Sequence, residues 1–218
     1  MKPKILMTLK ARALRAFFHL LYHPFAWVYD LVAFVVSLGT WKSWVYSVIP
    51  QIQGGKILEI GHGPGHLQVA FAARGYPVFG LDESPQMGNI AHRRLRNSSY
   101  SPRLVRGYTQ NIPFPNDTFQ HVVSTFPSEY ILDPNTISEL HRVLIPGGSL
   151  VILPIAWIQG NSPFHQAAAW LFRVTDQAIP WNENQLTLFT RAGFHLQHIR
   201  CHSPTWSTAI ILAKKLPA

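Results

Sequence analysis

Hydrophobic and polar positions divide this chain into two patterns that meet near residue 50. In the first, at about 100° of rotation per residue, Lys4, Thr8, Arg12, Arg15 and His19 fall on one arc of a helix. Ile5, Leu6, Leu9, Ala13, Phe17, Leu20 and Leu21 spread over the opposite side, with Lys10 as the exception. That spacing predicts a basic, wide-faced amphipathic helix, suited either to a membrane interface or to packing on the rest of the protein as a lid. In the second pattern, short apolar runs alternate with longer amphipathic stretches. Strands are predicted over 56–60, 77–81, 103–106, 119–125, 149–153, 194–200 and 207–213, and helices over 67–74, 85–96, 134–143, 163–173 and 183–192. Pro146-Gly147-Gly148 supplies a turn before the fifth strand, and Gly193 sits where a helix ends. Strands alternating with helices imply a mostly parallel sheet whose ligands bind at the C-terminal ends of the strands.

A chain of 218 residues suits one α/β domain. The two patterns divide it into a helical arm over 1–50 and a domain over 51–218. Hydrophobic residues make up 47% and charged residues 13%, which argues against a disordered chain. The net charge of +9 predicts attraction to an anionic partner, either a membrane surface or nucleic acid. Lys2, Lys4, Lys10, Arg12 and Arg15 all precede the first acid, Asp30. A second basic cluster, Arg93, Arg94, Arg96, Arg103 and Arg106, reads as a solvated helix face and loop. The arm interleaves its charges with bulky aliphatics and carries no recognised reading motif, which argues against nucleic acid. Its apolar run is broken by His19, Tyr22, His23, Pro24 and Asp30, and no small-residue cleavage site follows. Neither a signal peptide nor a spanning helix is therefore expected. Cys201, the single cysteine, permits no internal disulfide and fits a reducing compartment. These features lead us to expect a cytoplasmic protein whose arm reaches the inner membrane face. No spacing of histidines, cysteines or acids suggests a metal site.

The sharpest chemical signal is the run Ile57-Leu58-Glu59-Ile60-Gly61-His62-Gly63-Pro64-Gly65. A buried strand enters three glycines at alternate positions and then a helix. Glycine permits the tight turn and a close approach of backbone to ligand, and the helix N-terminus offers free N–H groups to an anion. The third glycine comes one residue too early for the dinucleotide fingerprint, and no Gly-Lys-Ser/Thr marks a phosphate loop. Val78-Phe79-Gly80-Leu81-Asp82 then ends the second strand in a carboxylate, which suits the two hydroxyls of a ribose. Two more segments follow in order: Gln110-Asn111-Ile112-Pro113-Phe114-Pro115-Asn116-Asp117-Thr118-Phe119, and Glu139-Leu140-His141-Arg142-Val143-Leu144-Ile145-Pro146-Gly147-Gly148.

In order and spacing these four segments resemble class I S-adenosylmethionine-dependent methyltransferases, over about residues 55–155. The resemblance implies a Rossmann-like, seven-stranded, mostly parallel sheet with helices on both faces, here carrying an N-terminal helical arm. It implies S-adenosyl-L-methionine as cofactor. Glu59, Gly61, His62, Gly63 and Gly65 would surround its amino-acid end, and Asp82 would take the ribose. Glu83, Ser84 and Met87 would flank the adenine, Ile112 would pack on the ring beside Gln110 and Asn111, and Thr125 would close the end of the fourth strand. Tyr108 departs from the pattern, because many relatives carry there an Asp that bonds the adenine amino group. Gln110 or backbone carbonyls are then expected to take over that role.

The arm adds a narrower likeness. Tyr29-Asp30-Leu31, Ser37-Leu38-Gly39 and Trp41-Lys42-Ser43-Trp44 are similar to the opening segment of ubiquinone/menaquinone methyltransferases and of bacterial phospholipid N-methyltransferases. This implies that Tyr29 reaches the cofactor's carboxylate. The expected function is methyl transfer to a small apolar or lipid-like acceptor of quinone or phospholipid type. A methyltransferase of a soluble small molecule and a non-catalytic cofactor-binding module of the same fold are the alternatives. A general base would come from the stretch Ser124 to Tyr130 at the pocket mouth, with Glu129 as the candidate. His62, His66, His121 and His165 read as structural histidines. Nothing in the sequence fixes an oligomeric state.

Overall fold

The computed structural model describes residues 29–159 and 181–216. The amphipathic helix expected over the first 21 residues, and the helix expected over 163–173 with His165, lie outside the described residues. Helices α1 (Tyr29–Val36) and α2 (Trp41–Tyr46) and a 3-10 turn (Ile49–Gln51) lead into strand β1 (Ile57–Ile60). Then follow α3 (His66–Ala72), β2 (Val78–Asp82), α4 (Pro85–Asn97), β3 (Leu104–Arg106) and β4 (Phe119–Thr125). A second 3-10 turn (Glu129–Leu132), α5 (Pro134–Val143), β5 (Leu144–Ile158), α6 (Glu183–Arg191), β6 (Phe194–Ser203) and β7 (Trp206–Lys215) complete the described chain.

All seven expected strands join one sheet, in the order β3-β2-β1-β4-β5-β7-β6. β1 pairs in parallel with β2 and β4, β2 with β3, and β4 with β5, while β7 runs antiparallel to both β5 and β6. β1 has β2 on one side and β4 on the other. The chain therefore leaves the sheet in opposite directions at their C-terminal ends, which opens a crevice there.

The four residues of β1 are all buried, as a continuous apolar run between two helix layers should be. On one face Leu58 and Ile60 pack with Ile137, Leu140 and Val143 of α5 and Phe189 of α6. On the other, Ile57 packs with Leu67, Ala70 and Phe71 of α3 and with Val45, Val48 and Ile52 from the segment before β1. The end of the arm, around residues 44–48, is thus core. Trp44 in α2 is fully buried against Ala156 and Ile158, and a buried side chain of this size is worth about 1.5–3 kcal/mol.

Local signals placed the helix starts. Ser84 caps α4, its hydroxyl accepting from the Met87 N–H at 3.2 Å, with Pro85 in the first turn. Asp133 caps α5 by accepting from Asn135 N–H at 2.8 Å. The largest difference from expectation is β5, foreseen over 149–153 and found as 15 residues. Its partner β7 extends the ladder to Ile158, which pairs with Trp206. Pro146-Gly147-Gly148 lies within it, at an irregularity in the β4–β5 pairing.

Candidate active site

The C-terminal ends of β1, β2 and β4 open onto a cavity of about 280 Å³. One wall is polar and built around the glycine loop. Asp82, the last residue of β2, accepts from Gly63 N–H through Oδ2 and from Ser84 N–H through Oδ1, both at 2.9 Å. Both carboxylate oxygens are thus fixed by backbone, and each keeps acceptor capacity for a ligand. Gly63 has φ +51°, and no neighbour crowds the space where a Cβ would stand, so its backbone alone calls for glycine. Gly61 has φ +63°, and a Cβ there would come within 2.5 Å of Tyr130 Oη. His62 is buried. Its Nδ1 lies 2.8 Å from Gly63 O, an atom that only accepts, so Nδ1 carries the proton. Burial pushes this imidazole below its ordinary pKa, outweighing the opposite pull of Asp82.

Behind the loop lies Glu59, 2% exposed, whose Oε2 accepts from Gln68 Nε2 at 2.8 Å. The same Nε2 also donates to Phe79 O at 3.2 Å, and Gln68 Oε1 is buried with no partner. Burial pushes the Glu59 carboxyl up to about 8 against the effect of the Gln68 bond, and the neighbouring Asp82 adds to the rise. Glu59 lines the cavity. This end accordingly offers the cavity a buried carboxyl, backed by Gln68, and a carboxyl so placed suits an ammonium or another cation.

The opposite wall is aromatic. Trp41 from α2 stacks on Phe126 at a centroid distance of 4.5 Å and 26° between planes, and Trp44 lies 6.3 Å from Phe126. Phe126 takes φ +50° immediately after β4, an uncommon conformation for a bulky residue. Its N–H is anchored to Leu153 O at 2.7 Å. Tyr130 Oη lies 3.2 Å from Ser124 Oγ, which donates to Ile60 O at 3.3 Å.

The arm is tied to the glycine loop. Asp30 of α1 accepts from Arg94 Nη2 and lies 2.9 Å from His66 Nε2, and Arg94 Nη1 also donates to Pro64 O. Partial burial works against the Asp30 charge, but His66 and Arg94 together outweigh it and hold this carboxyl below its usual range.

Residues 57–148 of this chain match the family of methyltransferase domains. Over that stretch the chain is similar to class I S-adenosylmethionine-dependent methyltransferases. It is 33% identical over 145 residues to the demethylmenaquinone methyltransferase of Symbiobacterium thermophilum, covering 62% of this chain and 56% of that protein. It is 31% identical over 134 residues to the ubiquinone/menaquinone biosynthesis C-methyltransferase of Geotalea daltonii, covering 57% of each. The matches therefore span little more than half the length of these curated relatives. Among solved structures, the geranyl diphosphate C-methyltransferase of Streptomyces coelicolor superposes with a TM-score of 0.60 at 12% identity, over 80% of this chain and 79% of that one. At that identity the likeness shows the fold.

Of the residues expected in the cofactor site, Glu59, Gly61, His62, Gly63, Asp82, Glu83, Ser84, Met87, Gln110 and Thr125 line this cavity. Gly65, Asn111, Ile112 and Glu129 are not among its walls. Gly65, at φ +81°, is instead where α3 starts against α4, with 2.8 Å between its would-be Cβ and Ala91 Cβ. Ile112 is buried in the main core, its N–H donating to Glu139 Oε2 at 2.8 Å, so the backbone at Gly107, Tyr108 and Thr109 meets the cavity instead. Asn111 is exposed. Glu129 is also exposed and off the cavity wall, while Tyr130, the next residue of the 3-10 turn and about 120° round from it, lines the cavity. Tyr29 opens α1, and its side-chain contacts lie outside the described atoms. Phe126, Tyr130 and the 65%-exposed Tyr108, expected near the pocket without a role of their own, line the cavity too, as does Trp41, for which no place there was expected. The signal for Phe126 and Tyr130 was their place in the stretch 124–130 at the pocket mouth, and Trp41 had only the likeness of 41–44 to an opening segment. Among the described residues no group of His, Cys, Asp or Glu could hold a metal ion.

Proposed function

We propose that this protein transfers a methyl group from S-adenosyl-L-methionine to an apolar, ring-bearing acceptor of the quinone type. The observation that carries the reading is Asp82, fixed by two backbone N–H groups at a strand end and facing the glycine loop across one cavity. A carboxylate so held suits a ribose diol. The Glu59–Gln68 end suits the cationic amino-acid portion of the same molecule. The two relatives whose names specify menaquinone or ubiquinone chemistry support the acceptor class.

When bound, the cofactor supplies an electrophilic methyl on a sulfonium centre. The chain's own residues supply position and dryness, which can account for a large share of rate enhancement in an in-line displacement. Asp82 and the glycine loop fix one end of the donor. Trp41 and Phe126 form a flat apolar wall, which excludes water and suits a planar acceptor. Tyr130 brings a hydroxyl to this side. Its Oη lies 3.2 Å from Ser124 Oγ, whose proton is directed to Ile60 O. We also propose that the protein is cytoplasmic and works at the membrane surface, where acceptors of this class reside.

Calorimetry with S-adenosylmethionine and S-adenosylhomocysteine tests the donor half. The wild type should bind both, and Asp82→Ala should bind roughly 100-fold more weakly, the loss of two charge-assisted hydrogen bonds. Failure of the wild type to bind either ligand overturns the reading. Methyl transfer to a short-chain demethylnaphthoquinol tests the acceptor half, and transfer confined to water-soluble amines sinks it.

A further inference from the structure

Helix α1 carries an apolar stripe that the described fold does not cover. Leu31, Phe34 and Val35 are 64%, 62% and 60% exposed, and Leu38 just beyond the helix continues the line. Positions i, i+3, i+4 and i+7 share one helix face. No charge interrupts that face. Asp30 is drawn away to Arg94 and His66, while exposed Lys42 and Arg93 stand on the neighbouring α2 and α4. The 28 residues that lead into α1 contain five cations and no acid.

We propose that this stripe docks on an anionic lipid bilayer and that Asp30 couples docking to the cofactor loop. Charge complementarity selects this occupant: an apolar face among cations, preceded by a cationic segment, fits an anionic interface. A second copy of the chain fits less well. Four side chains fall short of the ~800 Å² per partner that a stable protein interface takes, whereas an interfacial helix needs only to sink about 5–10 Å into the headgroup boundary. The coupling follows from connectivity. Asp30 lies on the docking helix, and its partners His66 and Arg94 reach the cavity wall, His66 directly and Arg94 through Pro64 O. Any shift of α1 at the interface is felt by the residues that hold the donor. The docking half stands apart from the proposed activity, while the coupling half rests on cofactor binding.

The full-length chain is mixed with vesicles of equal phosphatidylglycerol and phosphatidylcholine, or of phosphatidylcholine alone, and S-adenosylhomocysteine affinity is measured with and without them. We expect sedimentation with the anionic vesicles, weakened by salt. Leu31→Ser with Phe34→Ser should reduce it by about tenfold or more and leave S-adenosylhomocysteine affinity in buffer unchanged. Anionic vesicles should tighten S-adenosylhomocysteine binding about fivefold or more, and the ligand should tighten vesicle binding by the same factor, since coupling between two sites is reciprocal. Both shifts should vanish in Asp30→Asn, which still sediments. Absent vesicle binding, vesicle binding indifferent to the stripe, or a stripe-dependent dimer in its place overturns docking. An unchanged ligand affinity on vesicles, or a shift that survives Asp30→Asn, overturns coupling. Binding of S-adenosylhomocysteine in buffer reports separately on the donor site.

Discussion

The two walls of the cavity are built by different means. The polar wall comes from one βαβ unit: strand β1, the glycine loop, α3 and the end of β2, all within residues 57–84. Its fixed groups are mostly backbone N–H donors and the two carboxyls they and Gln68 address. The aromatic wall draws Trp41 from before the sheet and Phe126 and Tyr130 from beyond β4. A donor shared by a whole family can be held by backbone geometry, which tolerates change in side chains. On the proposed reading, the acceptor is met instead by side chains from two segments far apart in the chain. The comparison predicts that damage to the first wall shows in donor binding and damage to the second in acceptor use.

The strongest test lies where the walls touch, at Gly61 and Tyr130. An alanine at residue 61 would have to keep φ +63°, at a cost of about 1–2 kcal/mol. It would also push the Tyr130 hydroxyl off Ser124, a bond worth about 0.5–1.5 kcal/mol. Gly61→Ala should therefore lose about 2 kcal/mol in urea unfolding and weaken S-adenosylhomocysteine in step. Adding Tyr130→Phe removes the clashing atom, and the next ring atom is 3.6 Å away. The double variant should recover the steric part and keep the backbone part. If nothing is recovered, the two walls do not meet there.

The same contrast explains what could be read in the sequence. Gly61, Gly63 and Asp82 were legible because a strand, a turn and a second strand end fix them within a short stretch of chain. β4 and α5 were legible for the same reason, with residue-exact bounds set by a turn and a cap. β5 was not, since its length depends on β7, which begins nearly fifty residues after β5 ends. Ile112 lies beside Gln110 in a motif, but its N–H is bonded to Glu139 of α5, which turns the side chain into the core. Glu129 and Tyr130 are sequence neighbours, and only the 3-10 turn decides which one enters the cavity. Nothing in the chain announces that Phe126 will take a left-handed conformation. Backbone-built sites carry local signatures, and sites assembled from distant side chains carry few.

A smaller effect is expected at Trp41, where the walls should separate cleanly. Trp41→Ala removes the stack on Phe126, and aromatic pairs of this kind contribute about 0.5–1.5 kcal/mol beyond the area they bury. The Michaelis constant for a short-chain demethylnaphthoquinol should rise up to about tenfold, the equivalent of 1.4 kcal/mol. S-adenosylhomocysteine affinity should move by less than about threefold, because the ring's stacking partner, Phe126, lies on the aromatic wall. Equal losses in both would show that the arm holds donor and acceptor together, and the contrast between the walls would fail.

The smallest expected signal, and the most specific to the polar wall, is the titration of Glu59. Its folded pKa of about 8 lies above the ordinary carboxyl value of 4.5, so over that range the folded protein holds a proton that the unfolded chain has released. The stabilising contribution is complete below about pH 4.5 and declines as the pH rises to about 8, at a rate near 1.4 kcal/mol per unit. Between about pH 7 and pH 7.5 the wild type should therefore lose roughly 0.7 kcal/mol that Glu59→Gln does not lose, read as the difference between their urea midpoints. Glutamine keeps the shape and cannot ionise, so background titration elsewhere cancels in the comparison. A bound cation reverses the balance by favouring the carboxylate. S-adenosylmethionine binding to the wild type should accordingly release a proton at neutral pH and strengthen as the pH rises towards 8, while the variant releases none. Parallel stability curves for the two proteins would mean that Glu59 is already ionised beside Gln68, and that the donor meets a charge that is permanently in place.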